Sequence, residues 1–192
     1  MKITIISTLL FSLNIVAQST VEVRCDSIYK NKEILVKIIN FDNEKDGYDE
    51  EKNSILIIEQ NLKAKKSILV KDSIFSKVQK IEFVDFNNDK IKDILVQNIS
   101  DVRSNWTYYL YLYNPKNNSF KKVKDFEKIK NPKYNSKQNI VESYVVSGQD
   151  WVGFYKIKDY KALDLKTEII DDHGKNFEKE YNKAIKKITT KK

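Results

Sequence analysis

Short runs of alternating apolar and polar residues recur along most of this chain, the two-residue period of strands that bury one face. They cover 21–24, 34–41, 54–59, 67–71, 81–84, 94–96, 106–113, 120–124, 139–146, 151–157 and 163–170. Turn formers separate them, among them Asp46-Gly47, Asn114-Pro115, Ser147-Gly148 and Asp159-Tyr160. The connections are short and none carries the long helical pattern that joins parallel strands, so the pattern predicts antiparallel sheet. Two stretches stay undecided: 61–66 reads equally as loop or helical turn, and 125–137, with Asn131-Pro132, as a loop holding at most a short helix.

The period changes at the tail. Phe177, Tyr181, Ala184, Ile185 and Ile188 fall on one face of a helix, with Glu178 and Glu180 near its start and Lys183, Lys186 and Lys187 towards its end. That order of charge suits the helix dipole. The apolar stripe is narrow, which favours packing on the sheet over lying on a membrane surface.

The beginning differs again. Lys2 precedes an apolar run ending at Ala17, too short for a confident membrane span and followed by polar sequence. It reads as an export signal cleaved after Ala17, with cleavage after Ser19 or an uncleaved anchor as alternatives. Cys25 stands too far past the run to carry a lipid anchor, and no later stretch is apolar enough to cross a bilayer. The expected organisation is a signal peptide at 1–17, an N-terminal β segment at 18–75, a second β domain at 76–170 and a basic helix at 171–192, packed on the same unit. The expected location is periplasmic or extracellular.

Charge and cysteine content narrow this picture only slightly. The single cysteine excludes an intramolecular disulfide, so the core must hold by packing, with help from any bound metal. The net charge of +8 comes from lysines spread along the whole chain rather than from a patch, which reads as a solvated surface. Nucleic acid is not the expected partner of an exported protein.

One stretch carries candidate chemistry. Asp85, Asn87, Asp89 and Asp93 put side-chain oxygens at positions 1, 3, 5 and 9 of a loop between two strands, and Ile91 at position 7 offers its carbonyl. Alternate oxygens on a tight loop suit Ca²⁺, which takes six to eight hard oxygen ligands. An EF-hand is excluded, because position 12 is Val96 rather than a bidentate Glu. Position 6 is Lys90 where a positive φ favours Gly. The alternative is a solvated acidic turn. The 42–49 stretch has the wrong spacing for such a loop and reads as a hairpin turn.

Downstream, Trp106, Tyr108, Leu110 and Leu112 share one strand face, while Thr107, Tyr109, Tyr111 and Tyr113 share the other. An exposed row of Tyr109, Tyr111 and Tyr113 would stack on sugars or anchor a protein partner. The same row packed under a neighbouring sheet would be ordinary core. Trp151, beside the polar 147–150 turn, is a further candidate contact.

From residue 78 to about 170 the order of features resembles a known family. A strand enters the D-x-N-x-D-x-x-x-D loop, an aromatic strand ends in Tyr113-Asn114-Pro115, and Asn131-Pro132 precedes a strand into Ser147-Gly148. The strand holding Phe154-Tyr155-Lys156-Ile157 then leads to a Leu-rich one. This resembles the exported FG-GAP or integrin-like calcium-loop proteins, closest to periplasmic immunity proteins that inhibit peptidoglycan hydrolases. The resemblance implies propeller-like or sandwich-like antiparallel sheets, a structural Ca²⁺ on Asp85, Asn87, Asp89, Ile91 and Asp93, and a peptidoglycan hydrolase or other wall protein as partner. It marks no inhibitory loop. The alternative is a cell-wall- or carbohydrate-binding module using exposed aromatics.

No nucleophile and base stand together in the sequence, so a non-catalytic role is expected, although a carboxylate pair for glycoside hydrolysis is defined only in space. The lone histidine, His173, sits in an Asp171-Asp172-His173-Gly174 turn and reads as solvated rather than ligating.

Overall fold

The computed structural model describes residues 18–41, 52–62, 65–171 and 176–190. The apolar leader, the 42–49 turn and His173 lie outside them. Sheet 1 is β1 (Gln18–Arg24), β2 (Ile34–Phe41), β3 (Ser54–Leu62) and β4 (Lys65–Ile74). Sheet 2 is β5 (Ile81–Val84), β6 (Asp93–Ser100), β7 (Trp106–Asn114) and β8 (Ser119–Lys122). Sheet 3 is β9 (Pro132–Asn135), β10 (Ile140–Val145), β11 (Trp151–Lys158) and β12 (Lys161–Ile170), followed by α1 (Phe177–Thr190). Each sheet is a four-stranded antiparallel meander in chain order. Among the described residues none closes into a barrel.

Alternation along the strands of sheet 2 explains the layering. Ile94, Val96, Tyr111 and Tyr113 point to one side and pack with Val36, Ile38, Leu56, Ile58 and Ile74 of sheet 1. Leu95, Leu110 and Leu112 point to the other and pack with Val141 and Ala162 of sheet 3. Sheet 2 is therefore buried on both faces, which is why Ile94, Leu95 and Val96 of β6 are apolar at successive positions. The far face of sheet 3 buries Ile140, Val152, Phe154 and Ile169 beneath α1, whose Phe177, Tyr181, Ala184, Ile185 and Ile188 supply the covering stripe. The outer face of sheet 1 ends the stack with an ion ladder instead: Glu22–Lys37–Glu59–Lys66 runs across all four strands at 2.8, 3.5 and 2.7 Å.

The structure departs from the sequence reading at one place and settles two that the sequence left open. β9 occupies the stretch expected to be loop, because Pro132 sits at the first position of an edge strand, where a missing N–H does no harm. The undecided 61–66 stretch belongs to the β3–β4 hairpin, with Leu62 opposite Lys65. The tyrosine row is not an exposed one: Tyr111 and Tyr113 are 0% and 4% exposed and Tyr109 is half-buried against the same core. Sheet 1 covers them, so the second use open to that row, packing under a neighbouring sheet, is the one found.

With four glycines in the chain, several tight turns place Asn or Asp at positive φ, the non-glycine residues that tolerate it best. Asn88, Asn118, Asn139 and Asp159 all do so.

Candidate metal centre

The 85–93 loop joins β5 to β6 at one end of the middle sheet, and its two apolar residues hook into different cores. Phe86 enters the core between sheets 2 and 3, edge-on to Phe126 at 5.3 Å. Ile91 packs against the core between sheets 1 and 2. Sheet 1 adds a third tie, as the buried Tyr29 donates its hydroxyl to the Lys92 carbonyl at 2.8 Å.

Between these anchors the candidate ligands organise the backbone. Asp85 Oδ1 accepts the Asn87 and Asn88 N–H groups at 3.1 and 2.7 Å, and Oδ2 accepts that of Lys90 at 2.9 Å. Asn87 Oδ1 accepts the Asp89 N–H at 3.1 Å, and Asp89 Oδ1 that of Ile91 at 2.8 Å. Asp93 is 1% exposed and accepts the Phe86 N–H at 2.9 Å and the Tyr113 N–H at 3.0 Å, tying the loop's start to β7.

Burial pushes the Asp93 carboxyl up to about 7. Hydrogen bonds from Phe86 and Tyr113 oppose that shift, while the charges of Asp89 and Asp85 add to it. The charges of Asp85 and Asp89 thus bear on Asp93 in a loop whose side-chain and carbonyl donors are all oxygen, and each carboxylate oxygen keeps acceptor capacity beyond the N–H groups it already takes. That donor set fits a hard divalent cation, which would relieve the mutual repulsion. Among the described residues no group of three or more His, Cys, Asp or Glu side chains is drawn together in a metal-holding cluster. Asp85, Asp89 and Asp93 are therefore not gathered into such a cluster here, and their oxygens take backbone N–H groups instead.

No family model and no curated protein matches the chain. Among solved structures, a Xanthomonas Type IV secretion system related protein is similar at 15% identity and a TM-score of 0.44, over 82% of this chain and 83% of that one.

The position expected to favour Gly does adopt the left-handed conformation, with Lys90 at φ 68°. A Cβ there costs about 1 kcal/mol. Lys90→Gly is accordingly expected to raise Tm by about 2–4 °C, measured by thermal melting without metal; an unchanged or lower Tm would show that the loop bears no strain at this residue.

The other candidate residues are scattered. Tyr111 and Tyr113 are interior, as described above. Trp151 is half-buried on β11, and its ring lies over Gly153, where an added Cβ would come within 2.9 Å of it. The 147–150 turn is tied up internally, with Asp150 Oδ1 accepting the Ser147 N–H at 2.8 Å. Asp150 and Asp171 share the Tyr144 hydroxyl, each at 3.1 Å.

Sequence reading missed a polar joint between sheets 2 and 3. Buried Asn105 donates to the Val146 carbonyl and accepts the Val146 N–H, both at 2.8 Å, while Asn131 accepts the Trp106 N–H at 2.8 Å. Hydrogen bonds from Asn105 and Lys130 hold the Asp101 carboxyl well below its usual range. These partners lie up to 41 positions apart in the chain, so no local pattern announces them.

Proposed function

We propose that this protein is a non-catalytic, exported calcium-binding protein that inhibits a peptidoglycan hydrolase by binding to it. The observation that carries the reading is the 85–93 loop, anchored in both cores of a stacked β-scaffold and presenting an all-oxygen donor set. Asp85, Asn87, Asp89, Asp93 and the Ile91 carbonyl would hold the cation, which supplies charge neutralisation and no chemistry. Three successive antiparallel meanders support the propeller-like arrangement that the family resemblance implies. The leader-like 1–17 stretch supports export, and no described helix is long and apolar enough to cross a membrane.

Burial of Tyr111 and Tyr113 takes from the carbohydrate-binding alternative two of the three tyrosines of its row, leaving Tyr109 and Trp151 half-buried. A protein partner is therefore favoured over bare glycan.

Two measurements test this reading. Calcium at 100 times its dissociation constant stabilises the folded state by about 2.7 kcal/mol, which raises Tm by roughly 5–10 °C over the value in EDTA. Superimposed melts with no retained metal would reduce the loop to an acidic turn. The second is protection of peptidoglycan from a panel of wall hydrolases. Stoichiometric protection against one of them supports inhibition, whereas retention on insoluble peptidoglycan without protection overturns it.

A further inference from the structure

The free edge of sheet 3 has the layout of a strand-docking site. β9 ends its sheet, hydrogen-bonded to β10 on one side only, and a cleft opens on each of its faces. Lys133 pairs with Glu142 and Tyr134 with Val141, so adjacent β9 residues face opposite sides. On the α1 side, a cleft of about 410 Å³ is lined by Glu142, Tyr144, Val152, Phe177, Glu178 and Tyr181. On the sheet 2 side, one of about 400 Å³ is lined by Val84, Phe86, Leu95, Tyr108 and Tyr134 together with Glu82 and Asp85. Asn131 and Lys133 border both, so the two clefts meet along the strand edge.

Their chemistry differs. Each cleft holds two carboxylates against Lys133 on a chain of net charge +8, but on the sheet 2 side Glu82 is paired with Lys80 at 2.7 Å and Asp85 takes loop N–H groups. Among the described residues, neither Glu142 nor Glu178 is within ion-pair distance of a cation. Glu142 Oε1 is oriented by the Tyr181 hydroxyl at 2.6 Å and the Asn135 amide at 2.7 Å, and the Phe177 and Tyr181 rings stack 6.0 Å apart beside it. Carboxylates set among aromatic rings suit a Lys or Arg side chain, whose stem packs while its head is paired. On the sheet 2 side the carboxylates are already engaged, and Val84, Phe86, Leu95, Tyr108 and Tyr134 between them suit an apolar side chain.

We propose that the β9 edge docks an extended segment of a partner protein as an added strand, with an Arg or Lys in the α1-side cleft and the adjacent aromatic or aliphatic residue in the sheet 2-side cleft. In this mode main-chain hydrogen bonds supply affinity and pockets for alternate side chains supply specificity. The assignment rests on the reading above that the protein works by binding another protein, and it names the surface used.

The test is an NMR titration of the ¹⁵N-labelled protein with two strand-forming, Thr-rich peptides, one carrying Arg-Phe at its centre and the other Glu-Phe. The Arg peptide is expected to shift amides at 131–135 and around Tyr144 and Phe177. Its affinity should exceed that of the Glu peptide and fall about tenfold on Glu178→Lys, an exposed helix position where only pairing and ring contacts are lost. N-methylation of the peptide backbone should abolish binding. Equal affinity for both peptides, binding that survives N-methylation, or no shift at β9 up to millimolar peptide would each overturn the proposal. A hydrolase inhibited equally by wild type and Glu178→Lys would leave the inhibitor reading standing and remove this surface from it.

Discussion

Replacing Asp93 with Ala is expected to lower stability by about 3 kcal/mol even in EDTA. Its carboxylate is the acceptor for two backbone donors, Phe86 N–H in the loop and Tyr113 N–H in β7. A buried donor left without an acceptor costs about 1–3 kcal/mol, and the substitution strands both. Relief of the buried charge, which burial and the nearby Asp89 and Asp85 make unfavourable, offsets part of that loss. The expected fall in Tm is roughly 6–12 °C. Asp89→Ala provides the contrast. Its side chain is exposed and serves only the loop, so without metal it should stay within about 1 kcal/mol of wild type, yet lose the stabilisation by calcium. Melts of the three chains in EDTA and in calcium separate clamp from ligand. If Asp93→Ala falls no further than Asp89→Ala in EDTA, the clamp has been misassigned.

Asp72→Ala is expected to cost about 2–3 kcal/mol at neutral pH. Asp72 reaches from β4 into sheet 2, where its Oδ2 accepts the Tyr111 hydroxyl at 2.6 Å and the Lys122 ammonium at 2.7 Å. Tyr111 is fully buried, so truncation leaves its hydroxyl without that acceptor at the junction of two sheets. Burial works to raise the Asp72 carboxyl, but hydrogen bonds from Lys122 and Tyr111 outweigh it and hold the group below its ordinary value. A carboxylate lowered in the folded state adds stability that is fully present above its unfolded value near 3.9 and is lost as pH falls through the folded one. The gap between wild type and Asp72→Ala, measured by denaturant unfolding, should therefore be constant from pH 5 to 7 and narrow below about pH 4. A gap that widens with acid would refute the ion-paired state.

Both predictions concern the middle sheet, where the architecture concentrates its polar ties. Asp93 joins the loop to β7, Tyr29 joins it to sheet 1, and Asp72 joins sheet 1 to β7 and β8. A cation bound at the loop would stabilise a point where two cores meet, which is why the role proposed for it is structural. The β9 edge is bounded on one side by this same loop, through Asp85 and Phe86. The candidate metal centre and the candidate docking edge are therefore neighbours.

Much of this was written in the sequence because it depends on local periodicity. Alternation located the strands and the helical stripe from Phe177 to Ile188. The oxygen spacing of Asp85, Asn87, Asp89 and Asp93 marked the loop, and alternation correctly divided β7 into two faces. Which side each face meets was not local. Tyr109, Tyr111 and Tyr113 suit a packed face better than a surface row by their β-propensity, but only the position of sheet 1 decides for the core. The same holds for Asp93, whose value as a clamp depends on a β7 amide 20 positions away, and for β9, a four-residue edge strand that follows Asn131 and begins at Pro132. Periodicity reports which residues share a face, because it follows from backbone geometry. What covers that face depends on contacts between distant segments, and these exist only once the three sheets have stacked.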